Sequence, residues 1–279
     1  MDTKDLFPPI LLDSLKKIRG LINDKEYASY SDAIKACSQN AYENFDLCNM
    51  IADKTLLYRD RMTVKPFTLS PTNVFLLSAI NQYITVSGKK KVTVLDFGGA
   101  CGAHYFELRR LIPLEIALEW YVIETSQMVK SAMDKKIGTT ELHFSEAIEK
   151  IAVKIDFVHT SGALMYVPDP YYFINKLCSI NAEWVFLNRM MFNKGAEDFI
   201  TIQKSHLASN GPDVALPSGY NDRVISYPHT TMSFDKFNSA FLNNGYDLEW
   251  LFEEASGNHS IANYKTIGCG LLYCKKNVD

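Results

Sequence analysis

The stretch VTVLDFGGACGAHYF, residues 92–106, decides how the chain is read. Val92, Thr93, Val94 and Leu95 form a β-branched, apolar run suited to a strand buried on both faces. Asp96 closes the run, and Gly98, Gly99 and Gly102 follow. From Gly102 the spacing of apolar residues turns helical, until Pro113 stops it. A strand, a glycine turn and a helix in succession bring unpaired helix N–H groups, with their positive potential, to the end of a buried strand. Glycine there permits positive φ and a close approach of backbone to a ligand.

Working outward, the alternation continues. Strands are expected at residues 118–123, 141–144, 155–160 and 184–187. Helices are expected at residues 127–136, from 145 through Ile151, and after the cap Asp169-Pro170 to Ile180. This rhythm predicts a parallel sheet with helices on both faces. The end breaks it. A helix over residues 233–244, stopped by Gly245, precedes two strands, 246–252 and 266–275, with no helix between them, so that pair is expected antiparallel.

Upstream, residues 1–90 read as a helical N-terminal cap on a sheet domain of residues 91–279. Ile10, Leu11, Leu15, Ile18 and Ile22 follow a 3.6 period, Ser31 is placed to cap a helix through Asn40, and Ser70-Pro71 and Gly88 bracket another. Residues 192–232 are too long for a plain connection and are expected to form a substrate lid.

Composition narrows the function. The chain has 279 residues, 47% hydrophobic and 22% charged, with a net charge of −3, so it is globular and lacks the basic field of a nucleic-acid binder. Six cysteines without a CxxC pair argue against a disulfide scaffold or a zinc site. No apolar run is long enough to span a membrane, and the first residues do not pattern as a signal peptide, so a cytoplasmic location is expected. No HExxH or GxSxG occurs, and no metal set is expected.

The glycine turn has two readings. A dinucleotide site uses GxGxxG, which here falls on Gly98, Ala100 and Ala103, a weak match. The pattern DxGxGxG falls on Asp96, Gly98, Ala100 and Gly102, with Gly99 added, and it suits S-adenosyl-L-methionine (SAM), whose ammonium an acidic residue can meet. Glu124, at the end of the second strand, is expected on ribose hydroxyls. Ser145 and Glu146 are placed for the adenine edge, and Ser161, with Thr160 and Gly162, beneath the cofactor.

The segments DFGGACGAHYF, IDFVHTSGALMYVPDP, WVFLNR, TIQ (residues 201–203), SYP (226–228) and NNGYDL, with YASYSDAIKACSQNAYENFDL near the start, resemble class I SAM-dependent methyltransferases. More narrowly, they resemble a poorly characterised bacterial family often linked to surface-polysaccharide gene sets. That resemblance implies a Rossmann-like seven-stranded sheet, five parallel βα units plus a terminal antiparallel pair. It also implies SAM as cofactor and a sugar or polysaccharide precursor as acceptor. Asn188 departs from the family, where an Asp usually precedes the Arg, and residues 204–224 look longer than usual. O-methylation of a small polar molecule is expected ahead of N- or C-methylation. The alternatives are a nicotinamide-dependent oxidoreductase and a catalytically inactive binding subunit of the same fold.

Acceptor-facing residues are expected near the ends of strands four and five and in the insert. Tyr166 and Tyr227 would orient an acceptor, Arg189 would hold an anionic group through its planar fork, and His229, in the insert, would take a proton. His104 lies beside the glycine turn, and His159 within a buried strand reads as a core histidine. Gln203 is an acceptor contact through the resemblance alone.

Overall fold

The computed structural model describes residues 25–37, 44–254, 260–261 and 264–276. The helix expected over residues 10–22 lies outside them. The first described helix, α1 (Tyr30–Ala36), is capped by Ser29, whose hydroxyl accepts from the Asp32 N–H, so the cap sits two residues before Ser31 and the helix stops at Ala36. In α2 (Phe45–Arg61) the Asn44 side chain caps the N-terminus. Leu47, Met50, Ile51, Lys54, Thr55 and Tyr58 form its buried stripe at helical spacing. α3 (Pro71–Ser87) starts and stops as expected, with Pro71 in the first turn and Gly88 left-handed after the last.

The sheet follows. β1 (Lys91–Phe97) pairs in parallel with β2 (Ala117–Ile123) and β4 (Phe157–Ser161). β2 pairs in parallel with β3 (Leu142–Ser145), and β4 with β5 (Trp184–Asn193). Helices α4 (Ala103–Arg109), α5 (Ser126–Asp134) and α6 (Pro170–Ser179) make the crossovers. No full helix joins β3 to β4, where only a 3₁₀ turn, Ile148–Lys150, forms. Glu146, Glu149, Lys150 and Lys154 crowd that link and leave too few apolar residues for a buried stripe.

β6 (Phe199–His206) and β7 (Val224–Ser233) precede α7 (Phe234–Asn243), and β8 (Tyr246–Glu254), β9 (Ser260–Ile261) and β10 (Tyr264–Lys275) end the chain. The continuous strand order is β3-β2-β1-β4-β5-β10-β8, with β10 antiparallel to both its neighbours. The sheet exceeds the expected seven strands because β6, β7 and β9 join off this path. The expected insert is therefore largely an antiparallel hairpin of β6 and β7, and β7 pairs in parallel with the end of β5 through Phe192 and Asn193.

Alternation along the strands splits the core. Val92, Val94, Trp120 and Phe157 pack with α2, α3, α4 and α5 on one face. Leu95, Phe97, Val158 and Val185 pack with α6 and α7 on the other. Buried polar groups tie the leading helices down. The Glu107 carboxylate on α4 accepts from the Ser70 N–H at 2.9 Å, from Asn73 at 2.8 Å and from the Tyr58 hydroxyl. Lys54, only 2% exposed on the apolar stripe of α2, donates to the carbonyls of Ala208 and Asn210 at 2.8 and 2.7 Å. That lysine fastens α2 to the turn after β6, and its burial lowers its pKa.

Candidate functional site

A cavity of about 1400 Å³ runs across the carboxyl ends of the parallel strands. The glycine turn, the ends of β2, β4 and β5, the start of α3, α1 and the β6–β7 hairpin all contribute walls. Open parallel sheets bind ligands at this edge, beside the point where the strand order reverses between β1 and β4.

In the turn itself the protein's own atoms occupy the space that glycine frees. Gly98 has φ +70, and a Cβ built on it would lie 2.3 Å from the Cβ of Ala163, in the loop after β4. A Cβ on Gly99 would lie 2.4 Å from Asp96 Oδ2. The two glycines thus let the loop after β4 and the Asp96 carboxylate close on the turn, which leaves backbone facing the cavity. Gly102 ends the turn as the left-handed cap of α4 against Leu142 and does not line the cavity.

Asp96 is fully buried beneath the turn. Its carboxylate accepts from the Trp120 Nε1–H at 3.1 Å and meets Nδ1 of His159 at 2.8 Å and Nδ1 of His104 at 3.3 Å. Burial would raise its pKa, but the charge interactions and hydrogen bonds of the two histidines outweigh that and hold it well below the usual carboxylate range. Burial pushes His159 down, against the pull of Asp96. Asp96, His104 and His159 are also the one group among the described residues with metal-like donor spacing, within 4.8 Å. The carboxylate oxygens are already met by three nitrogens at hydrogen-bonding distance, while Nε2 of His159, on the far side of its ring, is buried without a hydrogen-bond partner. The sequence suggests a direct contact between Asp96 and a ligand; in the structure Asp96 does not itself line the cavity.

On the β2 side, Glu124 lines the cavity at the strand tip. Its oxygens accept from the Ala100 N–H at 3.0 Å and the Thr125 N–H at 2.9 Å, and burial raises its pKa. Each oxygen keeps a lone pair for a ligand hydroxyl. Glu146 lines the cavity wall beyond β3 and pairs with Lys150. Ser145 does not line it, because its hydroxyl turns back to the Ala147 carbonyl. Ser161 lines it from β4. The hydroxyls of Ser161 and Thr125 are buried and make no hydrogen bond, although both residues border the cavity.

The opposite half is an aromatic and polar wall. On β6 and β7, Thr201 faces His229 and Gln203 faces Tyr227 across the ladder, so their side chains share one face. The Tyr166 hydroxyl donates to Gln203 Oε1 at 2.7 Å, and Tyr227 to Ser205 at 2.9 Å. The Tyr166 ring meets those of Tyr227 and His229 edge-on at 5.2 and 5.3 Å. Burial, then Tyr227, push the Tyr166 phenol upward, so it acts as a neutral donor. His229, expected in the lid insert, sits within β7 and is 2% exposed. Burial lowers its pKa to about 4, and its Nε2 has no hydrogen-bond partner.

Arg189 stands at the rim, exposed, with φ +55. Asn188 and Arg189 together oppose Gly270 where the β5–β10 register shifts, which makes a β-bulge, a device that re-aims a side chain. Its N–H donates to Glu254 at 3.2 Å.

Of the residues singled out from sequence, the cavity gathers Gly98, Gly99, Glu124, Glu146, Ser161, Gly162, Tyr166, Arg189, Tyr227 and His229, and with them His104 and Gln203. It also gathers residues the sequence reading passed over. Tyr30 of α1 donates to the Tyr166 carbonyl, and Arg61 and Ser205 add polar groups. No local pattern marks these three, since only the fold brings them to the site.

No family model and no curated protein matches the chain. Among solved structures, the chain is similar to a SAM-dependent methyltransferase from Clostridium acetobutylicum ATCC 824, at 10% identity and TM-score 0.49, covering 81% of this chain and 99% of that one. It is similar to an amino pentose methyltransferase from Micromonospora echinaspora, at 11% identity and TM-score 0.47, covering 74% and 92%. It is also similar to magnesium protoporphyrin IX methyltransferase from Synechocystis PCC 6803, at 13% identity and TM-score 0.43, covering 86% and 100%.

Proposed function

We propose that the chain is a SAM-dependent methyltransferase that O-methylates a small polar acceptor such as a sugar. The observation that carries this reading is the course of the last strand. β10 runs antiparallel between β5 and β8, whereas the dinucleotide-binding sheet continues in parallel past its fifth strand. The departure of the turn from GxGxxG supports the same choice over a nicotinamide-dependent oxidoreductase.

The residues present fit such a cofactor. Glu124 offers lone pairs to ribose hydroxyls, the wall at Glu146–Ile148 flanks the base, and the unpaired hydroxyls of Ser161 and Thr125 await partners. When bound, the cofactor supplies an electrophilic methyl group on a sulfonium. The chain's part is to align the acceptor in line with it and exclude water. Tyr166, Gln203, Tyr227 and Ser205 form a neutral wall of hydroxyl and amide groups beside aromatic rings, chemistry suited to a carbohydrate. His229 is neutral at pH 7 and its unpaired Nε2 can hold the acceptor hydroxyl. With a pKa of about 4 it is a weak base, so its part is to orient the hydroxyl's lone pair toward the methyl group, and the hydroxyl proton is released to solvent as the new O–C bond forms. Arg189 reaches an anionic group at the rim. The leading helices and the β6–β7 insert together roof this half.

Calorimetry with S-adenosylhomocysteine and with NAD tests the reading. The protein should bind the first and not the second, and Glu124→Ala should cost about 1–3 kcal/mol of that binding, the scale of charge-assisted hydrogen bonds. Binding of NAD alone would overturn the assignment.

A further inference from the structure

Asp96 occupies the place from which the sequence pattern would have a carboxylate meet the ligand, yet it lies buried under Gly99 and does not line the cavity. Of its three side-chain partners, Trp120 and His159 are fully buried and only His104 borders the cavity. His104 stands in the first turn of α4, held by Asp96 of β1 through Nδ1 and set edge-on to the ring of His159 of β4 at 4.9 Å. It therefore lies over β1 and β4, whereas Glu124 and Glu146 stand at the ends of β2 and β3. A ligand whose ribose is held by Glu124 and whose base reaches Glu146 carries its remaining end across the turn, toward β4 and His104.

The anionic carboxylate fixes the tautomer. In the neutral ring, with Nδ1–H donating to Asp96, the lone pair is on Nε2, on the other side of the ring. We propose that Asp96 acts through His104, whose Nε2 accepts a hydrogen bond from the α-ammonium group at the amino-acid end of the cofactor. This rests on the SAM reading above. His104 is then a binding residue and Asp96 a positioning residue. Trp120 and His159 hold the carboxylate in line and keep it ionised without exposing it.

Three probes separate the parts of the ligand: S-adenosylhomocysteine, its decarboxylated analogue S-adenosyl-3-thiopropylamine, which keeps the ammonium, and 5′-methylthioadenosine, which lacks the whole amino-acid end. His104→Ala should weaken the first two by about tenfold, the loss of one hydrogen bond to a charged group, and leave the third unchanged. Asp96→Asn should show the same selectivity, and unchanged methylthioadenosine binding certifies that the site has folded. His104→Gln, whose carbonyl can accept in place of Nε2, should recover part of the loss.

An equal loss on all three probes would reduce His104 to a structural role and overturn the proposal. A loss confined to S-adenosylhomocysteine would move the contact to the carboxylate and overturn it too. If the unaltered protein binds none of the three, the SAM reading itself fails, an outcome distinct from either.

Discussion

Gly98 offers a measurable test of how the turn is built. Two separate costs attach to Gly98→Ala. The residue has φ +70, and a Cβ in the left-handed region costs about 1–2 kcal/mol. The same Cβ would sit 2.3 Å from the Ala163 Cβ, and forced overpacking in a tight core costs about 1–3 kcal/mol. Neither side yields easily. The Gly98 N–H is tied to the Ile123 carbonyl of β2 at 2.9 Å, and Ala163 sits between β4 and the 3₁₀ turn that carries Tyr166. The single variant should lose roughly 2–5 kcal/mol, the sum of these two ranges. In an Ala163→Gly background the clash vanishes and only the backbone cost of about 1–2 kcal/mol persists. A double-mutant cycle in urea should therefore return a coupling of about 1–3 kcal/mol, and the double variant should regain S-adenosylhomocysteine binding lost by the single one. Additivity within about 0.5 kcal/mol would show that the loop after β4 does not press on the turn, and the account of Gly98 would fall.

His229 should leave a mark on acid stability. Its folded pKa of about 4 lies below the ordinary histidine value of 6.5, so the unfolded chain binds more protons between those values and stability falls as pH drops through that window. Urea unfolding of the wild type should lose about 2–3 kcal/mol more than His229→Gln between pH 7 and pH 4, and parallel curves would refute the buried neutral imidazole. Arg189→Gly should relieve the left-handed backbone at the bulge and hold or raise the urea midpoint, worth up to about 1–2 kcal/mol, even as it removes the rim cation. A clear loss of stability would mean that the side chain holds the fold together instead of serving the cavity.

What was legible in the sequence was what local order encodes. The strand, turn and helix of residues 92–109 declared themselves through β-branching, glycine and helical spacing, and the alternation that followed implied the parallel sheet. The β6–β7 hairpin was harder to see, although both strands carry β-branched residues. Pro228 interrupts the second run, and proline lacks the N–H of a central strand. It is tolerated there because β7 pairs with β6 along its length but with β5 only at Met232 and Ser233, so its other edge is free of ladder bonds at Pro228. The fate of Asp96 was illegible for a different reason. A strand-end carboxylate reads as a ligand contact, and nothing nearby in sequence reveals that Trp120 from β2 and His159 from β4 converge on it.

The same distinction separates the two halves of the cavity. The half at Glu124, Glu146 and the glycine turn comes from successive βα loops, so sequence order predicts spatial order. The other half is assembled from α1, the loop after β4 and a hairpin whose pairing spans Gln203 and Tyr227. It is held by contacts of long sequence separation, such as Tyr30 on the Tyr166 carbonyl and Lys54 on the carbonyls of Ala208 and Asn210. Lys54 makes the coupling explicit. A lysine at that depth costs desolvation, and the two carbonyls that offset it belong to the insert, so α2 and the insert stabilise one another. Substitutions in α2 that touch no ligand should therefore alter the acceptor wall while leaving the nucleoside side intact.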